Sequence, residues 1–345
     1  MTLSADTHAR LRTLALVLLL IMPASIAFGW AVTDHGIILA VVHASIGTTI
    51  IIGLPIFAVE LFYVTAPAGA KFRRLPLALF LMIRLGAWMA WIVTGSMIAN
   101  RTVWQTPVAA PFVSSDFWLT VGFSAVVGAV TMFVMTINAL LGPGVLVQLM
   151  LGRYHRPRTE EVGVAFIDLK NSTAIADAIG PERFLEVMAR FAALVSAEAR
   201  AAGGSVYAYV GDEVIVEWHG KRTADLTRQA AMLVALKRRL ARDRDNWARE
   251  LGVAPDFRAS LHVGPVVIGE MGDDKRAIVL LGDTMNVAAR LEQAARDLGV
   301  DIVCSADAAR RVGPIAGVDL TPLGPVVLRG KDKPVPVIGI ETLTL

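Results

Sequence analysis

Four apolar stretches, at about 13–32, 37–64, 76–98 and 117–141, are each long enough to cross a bilayer. A peptide group in hydrocarbon finds no water to bond, so spans of this length are predicted to be α-helices. The first has a second reading as a secretory signal, because Arg10 and Arg12 precede it and PASIA has the pattern of a cleavage site. Lys71, Arg73 and Arg74 crowd the second connection, and Arg153, Arg156 and Arg158 follow the last span, whereas the other connections hold only Arg101. By the positive-inside rule the C-terminal half is expected on the cytoplasmic side of an inner (plasma) membrane, whether or not the first stretch is removed. Trp30, Trp104 and Trp118 fall near the opposite face, where amphipathic rings anchor.

Charge is distributed to match. Residues 1–150 hold seven Lys/Arg and four Asp/Glu, against 26 of each in 151–345, so the whole +3 excess belongs to the membrane flanks. It implies no nucleic-acid partner. Cys304, in strand-like DIVCSA, is the single cysteine, which excludes an intrachain disulfide and reads as a small buried apolar residue. The expected organisation is a transmembrane domain over 1–141, a connecting segment over 142–160 and a soluble domain over 161–345.

Glu60, Arg84 and His43 stand inside the spans. Glu60 and Arg84 lie at matching ends of adjacent stretches, where they either pair or reach the headgroups separately. His43 has no second histidine at ligand spacing and reads as a hydrogen-bonded packing residue. In the connection, Gly142, Pro143 and Gly144 should end the fourth helix, leaving a segment that either transmits a membrane signal or acts as a stiff linker.

The soluble half alternates strand and helix patterns, which implies a helix-covered sheet. VGVAFIDL and SVYAYVGDEVIVEW read as strands, the latter two around a Gly-Asp turn. PERFLEVMARFAALVSAEARAAG, 224–242 and TMNVAARLEQAARDLG read as helices, and FRASLHVGPVVIGEM as a strand. Asp168 and Asp212 each stand at or next to a strand end, where a carboxylate is costly unless it binds something. Two carboxylates converging there suit divalent cations that contact nucleotide phosphates. Asn171, Ser172 and Thr173 then open a helix whose free N–H groups can take phosphate, unless Asp168 and Thr173 merely cap it. Asn286 and Arg290 are i and i+4 on one helical face and can reach a common ligand.

At these residues the chain resembles the class III nucleotidyl cyclases, over about 161–341. FIDLKNST is similar to the first metal turn, VGDE to the second, LHVGPVVIGEMG to the dimerisation region, GDTMNVAARLE to the Asn-x-x-x-Arg helix, and LRGKDKPVPV to the closing phosphate-binding strand. The resemblance implies an α+β, ferredoxin-like cytoplasmic domain behind the four spans, and a homodimer whose sites draw residues from both protomers. It implies two Mg²⁺ or Mn²⁺ on Asp168 and Asp212, with the Leu169 carbonyl as a further ligand. It gives Asn286 the ribose, Arg290 the transition state and Arg329 the terminal phosphates. The implied reaction is attack of the ribose 3′-hydroxyl on the α-phosphorus, with pyrophosphate leaving and no protein-bound intermediate.

Ala208 and Val279 occupy the positions that usually choose the base, and neither can hydrogen-bond a base edge. ATP is thus expected by family frequency, with guanine and pyrimidine nucleotides open. A silent nucleotide-binding module is disfavoured by the intact Asp168, Asp212, Asn286 and Arg290. A diguanylate cyclase is disfavoured because Gly-Gly-Asp-Glu-Phe is absent. A transporter is disfavoured because the spans offer no polar pathway.

Overall fold

The computed structural model describes residues 5–32, 38–64, 69, 72, 75–103, 115–141, 152, 156–274, 276–327 and 334–342. The chain divides into two compact units, Met1–Leu140 and Leu141–Leu345.

The first unit is built from helices α1 (Ala5–Val32), α2 (Ile38–Val59), α3 (Leu77–Thr102) and α4 (Ser115–Leu141). A π-helical turn, Glu60–Val64, extends α2. All four are long and apolar enough to cross a membrane. Large side chains such as Leu20, Met82 and Phe133 stay exposed, as a lipid-facing surface requires, while Phe57, Trp88, Ile92 and Phe117 pack inside. Because lipid tails are as apolar as leucine, close approach and hydroxyl bonds must hold such helices together. Ser45 Oγ donates to the Ser25 carbonyl at 3.2 Å and Thr49 Oγ1 donates to Ser25 Oγ at 2.9 Å. A Cβ on Gly29 would stand 2.6 Å from Ser45 Oγ, so any larger residue would displace the hydroxyl that bonds α2 to α1.

Of the two arrangements open to Glu60 and Arg84, the structure has the pair. Arg84 Nη2 donates to Glu60 Oε1 at 2.7 Å, and both residues are buried. His43 is hydrogen-bonded, through Nδ1 to the Leu39 carbonyl at 3.1 Å, but it is exposed rather than packed. Trp30 and Trp118 are likewise exposed. Trp104, Lys71, Arg73, Arg74, Arg153 and most of the 142–160 connection lie outside the described residues.

The second unit is a mixed sheet with helices on both faces. It begins β1 (Arg158–Leu169), α5 (Ser172–Ile179), α6 (Pro181–Ala201), β2 (Ser205–Val210), β3 (Glu213–His219), α7 (Thr227–Arg242), α8 (Arg244–Leu251) and β4 (Phe257–Met271). It continues β5 (Ala277–Leu281), α9 (Asp283–Leu298), β6 (Ile302–Ser305), α10 (Ala306–Ala309), β7 (Val318–Val326) and β8 (Val335–Thr342). The sheet order is β2-β3-β1-β4-β6-β8-β7, with β5 added to β4. The β2-β3-β1-β4 portion is antiparallel and, with its crossing helices, is the βαββαβ ferredoxin-like unit. β4–β6 is a parallel pair.

β1 is central and buried on both faces, so its sequence is an almost continuous apolar run. Ala165, Ile167 and Leu169 point to one layer, with Phe191 of α6 and Leu233 of α7. Val162, Val164 and Phe166 point to the other, with Ala288 of α9. Cys304 is fully buried in β6, where burial pushes its thiol up to about 12, as its apolar reading requires. The helix expected from Ala224 starts at Thr227, because the Asp225 carboxylate accepts the Thr227 N–H at 2.9 Å and a 3₁₀ turn, Gly220–Thr223, precedes it.

Candidate active site

Side chains alternate across a strand, so Asp168 shares the face of Val162, Val164 and Phe166, and lies beneath α9. It stands at the end of β1, opposite Glu213 on β3 and Arg258 on β4. Asp212 occupies the β2–β3 turn, where Gly211 at φ 63° supplies the left-handed residue such a turn needs. The Leu169 N–H donates to the Asp212 carbonyl at 3.3 Å, tying that turn to the end of β1 and bringing both carboxylates to one corner.

Two more acids gather there: Glu213 and, from α9, the buried Glu292. Arg296, one turn beyond Glu292, donates through Nη2 to Asp168 Oδ2 at 3.0 Å. Burial, and then the Asp212 charge, hold the Asp168 carboxyl above its ordinary range despite Arg296. Burial, followed by the charges of Glu292, Asp168 and Asp212, pushes Glu213 up to about 7. Glu292 is raised by burial and then by Asp168. The corner is thus short of positive charge, which is the condition a divalent cation relieves.

The donor set fits Mg²⁺ or Mn²⁺. Carboxylate oxygens and a backbone carbonyl are hard ligands, and among the described residues no thiolate or imidazole joins them at this corner. Among the described residues no three His, Cys, Asp or Glu side chains form a closed cage. Two carboxylates without a cage suit ions that complete their shell with substrate phosphate and water.

The neighbouring helix start is also available. Asn171 is the N-cap of α5 at φ 55° and makes no side-chain cap bond, and among the described residues no side chain bonds the first-turn amides. Neither Asp168 nor Thr173 caps α5, so the capping alternative fails. The amides of Ser172 and Thr173 remain free of side-chain partners there, as an anion site needs.

Asn286 and Arg290 are not brought to this corner. α9 buries Thr284, Val287, Ala288, Leu291, Glu292, Ala294 and Ala295 against the sheet, which leaves Asn286 exposed and Arg290 half-buried, both off that stripe. No hydrogen bond or ion pair holds Arg290 among the described residues. Ala208 is half-buried on β2, and Val279 lies on β5 facing Gly269 of β4. Tyr207 Oη of β2 accepts the Leu280 N–H of β5 at 3.1 Å, a side-chain contact between strands that are not neighbours in the sheet. Arg329 lies outside the described residues.

Sequence reasoning missed Glu213, Glu292, Arg296 and Tyr207. Glu213 directly follows Asp212, and Glu292 stands two residues after Arg290, so both were inside recognised motifs. Arg296 carried no local signal, because its partner is 128 residues away.

Residues 154–338 match the family described as the adenylate and guanylate cyclase catalytic domain. The chain belongs to that family. It is 28% identical to adenylate cyclase 2 of Rhizobium meliloti (strain 1021), over 97% of this chain and 93% of that one. It is 24% identical to the adenylate cyclase of Anabaena cylindrica, over 53% of this chain and only 37% of that one. A bacterial light-regulated adenylyl cyclase structure shares the fold at TM-score 0.55 and 19% identity, covering 65% of each chain.

Proposed function

We propose that this protein is a membrane-anchored homodimeric cyclase that converts ATP to 3′,5′-cyclic AMP and pyrophosphate. The observation that carries the reading is the split within one chain: Asp168 and Asp212 gather with Glu292 from the buried side of α9, while Asn286, exposed, and Arg290, half-buried, lie off that side. Each half needs a second copy to complete it. Val267, Met271 and Leu281, exposed on β4 and β5, supply apolar surface for that contact. Adenine as the base rests on the relationship to adenylate cyclase 2, which extends along nearly the whole chain.

Asp168, Asp212 and the Leu169 carbonyl would hold two Mg²⁺ or Mn²⁺, which when bound acidify the ribose hydroxyl and neutralise the leaving pyrophosphate. The α5 amides after Asn171, with Ser172 and Thr173, bind phosphate oxygens. Asn286 of the second protomer orients the ribose, and Arg290 meets the charge growing on the α-phosphoryl oxygens. Arg329 binds the terminal phosphates. Ala208 and Val279 leave the base edge without polar side-chain partners, so shape and backbone contacts discriminate among bases. The four spans anchor the enzyme in the inner membrane, with 161–345 cytoplasmic by the positive-inside rule and 142–160 as the connection.

The test is to incubate the purified full-length protein with each of the four ribonucleoside triphosphates and Mn²⁺, identifying products by mass. Cyclic AMP as the dominant product is expected. Cyclic GMP or a cyclic pyrimidine nucleotide in its place would overturn the base, and no cyclic product from any substrate would overturn the reaction.

A further inference from the structure

The membrane unit contains a cavity that its own side chains leave open. It lies among α1, α2, α3 and α4, has a volume of about 70 Å³, and has Ile52, Trp88 and Phe123 in its wall. One water needs roughly 10–15 Å³ on that measure, so the space is several waters large. Five hydroxyls also line it, those of Ser25, Thr48, Thr49, Thr120 and Ser124, and no lining side chain carries a charge.

These hydroxyls are not equivalent. A threonine in a membrane helix ordinarily donates to the carbonyl one turn back. Thr94, Thr102, Thr120, Thr131 and Thr136 all do so, at 2.7–2.8 Å. Thr49 donates across to Ser25. Thr48 does neither: its Oγ1 is buried and has no hydrogen-bond partner among the described residues. A buried hydroxyl left unpaired is costly, and more so where no water can replace the partner. Among these threonines the exception is a residue of the cavity wall; Ser96 Oγ, likewise buried and unpaired, lies outside that wall.

We propose that this cavity is a binding site for a small neutral molecule with an apolar body and a single hydroxyl or carbonyl oxygen. A turn about the Thr48 side-chain bond brings Oγ1 to the ligand oxygen, and the body lies against Ile52, Phe123 and Trp88. A charged ligand does not fit, since nothing in the wall would compensate it. The site is independent of the cyclase reaction and would stand if the choice of ATP failed.

The experiment photolabels the full-length protein in lipid nanodiscs with a diazirine-bearing octanol and maps the adducts by mass spectrometry. Adducts should concentrate on cavity residues such as Ile52 and Phe123, and excess octanol should suppress them where octane does not. Thr48→Val, which removes the hydroxyl at constant shape, should weaken labelling roughly tenfold, the effect of one lost hydrogen bond. Ser124→Phe, which fills the space, should abolish it. Labelling spread evenly over lipid-facing residues such as Leu20 and Phe133, or equal competition by octane, would overturn the proposal. So would labelling unchanged in a folded Thr48→Val. Should both variants misfold, the contest between octanol and octane on the unmodified protein decides alone.

Discussion

The two faces of β1 use one strand for opposite purposes. On one face Ala165, Ile167 and Leu169 are apolar and dry, packed beneath α6 and α7. The other face runs Val162, Val164, Phe166 and then ends in Asp168, among Glu213, Glu292 and Arg296. Residues that alternate along the chain are thereby sorted into a layer that holds the fold and a layer that tolerates strained charge. The carboxylate corner is destabilising by itself, and the dry layer offsets it.

The sharpest way to break this contrast is to remove a carboxylate. Asp168→Ala or Asp212→Ala should lower Mn²⁺-dependent cyclisation by at least about a thousandfold, since a lost metal ligand removes the charge stabilisation of the reaction. The melting temperature should hold or rise, because mutual repulsion is relieved. Near-normal turnover in either variant would sink the metal assignment.

A mixture of chains tests whether Asn286 and Arg290 serve a partner's carboxylates. Asp168→Ala and Arg290→Ala should each be near background alone. Coexpressed, about half the dimers are mixed and keep one intact site of two, so activity should recover to roughly a quarter of wild type. Exchange verified by light scattering with no recovery would place all four residues in one protomer.

The dry face should show the reverse pattern. Ile167→Ala leaves a cavity beneath Phe191 and should cost about 2–4 kcal/mol in denaturant unfolding. The folded fraction should cyclise at an ordinary rate. Loss of kcat without loss of stability would mean that the two faces are not separate.

The smallest effect concerns neither face. Asp256 and Asp301 pair with Lys170 and Lys237 at the start of β4, and despite burial these partners hold both carboxyls below their ordinary range. A depressed carboxylate stabilises the fold above its unfolded value near 4 and loses that contribution as pH falls through the folded value. Both side chains are about two-fifths exposed, so screening limits the effect to about 1 kcal/mol or less. Asp301→Asn should therefore narrow the stability difference between pH 6 and pH 3, measured by urea unfolding. An unchanged difference would show that the cluster contributes nothing.

What the sequence disclosed was whatever period and punctuation could express. The four spans were legible because a long apolar run in lipid has one solution, and the Asp212 turn because Gly211 precedes it between two alternating strands. β7 was not read, since Pro322, Gly324 and Pro325 look like turn residues; the structure absorbs them in a register shift against β8. The candidate site residues were named by motif, but their separation onto two sides of α9 depends on which helical stripe meets the sheet. Arg296 was beyond reach for the same reason, because the position of α9 over the end of β1 is a property of the assembled layers.

The pairing of β1 also bears on how its gene can change. The strand is locked on both edges, from Arg158 opposite Ile268 to Leu169 opposite Phe257 on one side and against seven consecutive residues of β3 on the other. A codon exchange alters one side chain, but a codon lost inside β1 would turn every later one over. Asp168 would enter the layer of Phe191, and Ile167 would meet the carboxylates. Descendants of this chain can therefore drift in β1 by spelling but not by length. Length is free to vary in the exposed bend at Gly272, Asp273 and Asp274 between β4 and β5, where an added residue disturbs no ladder.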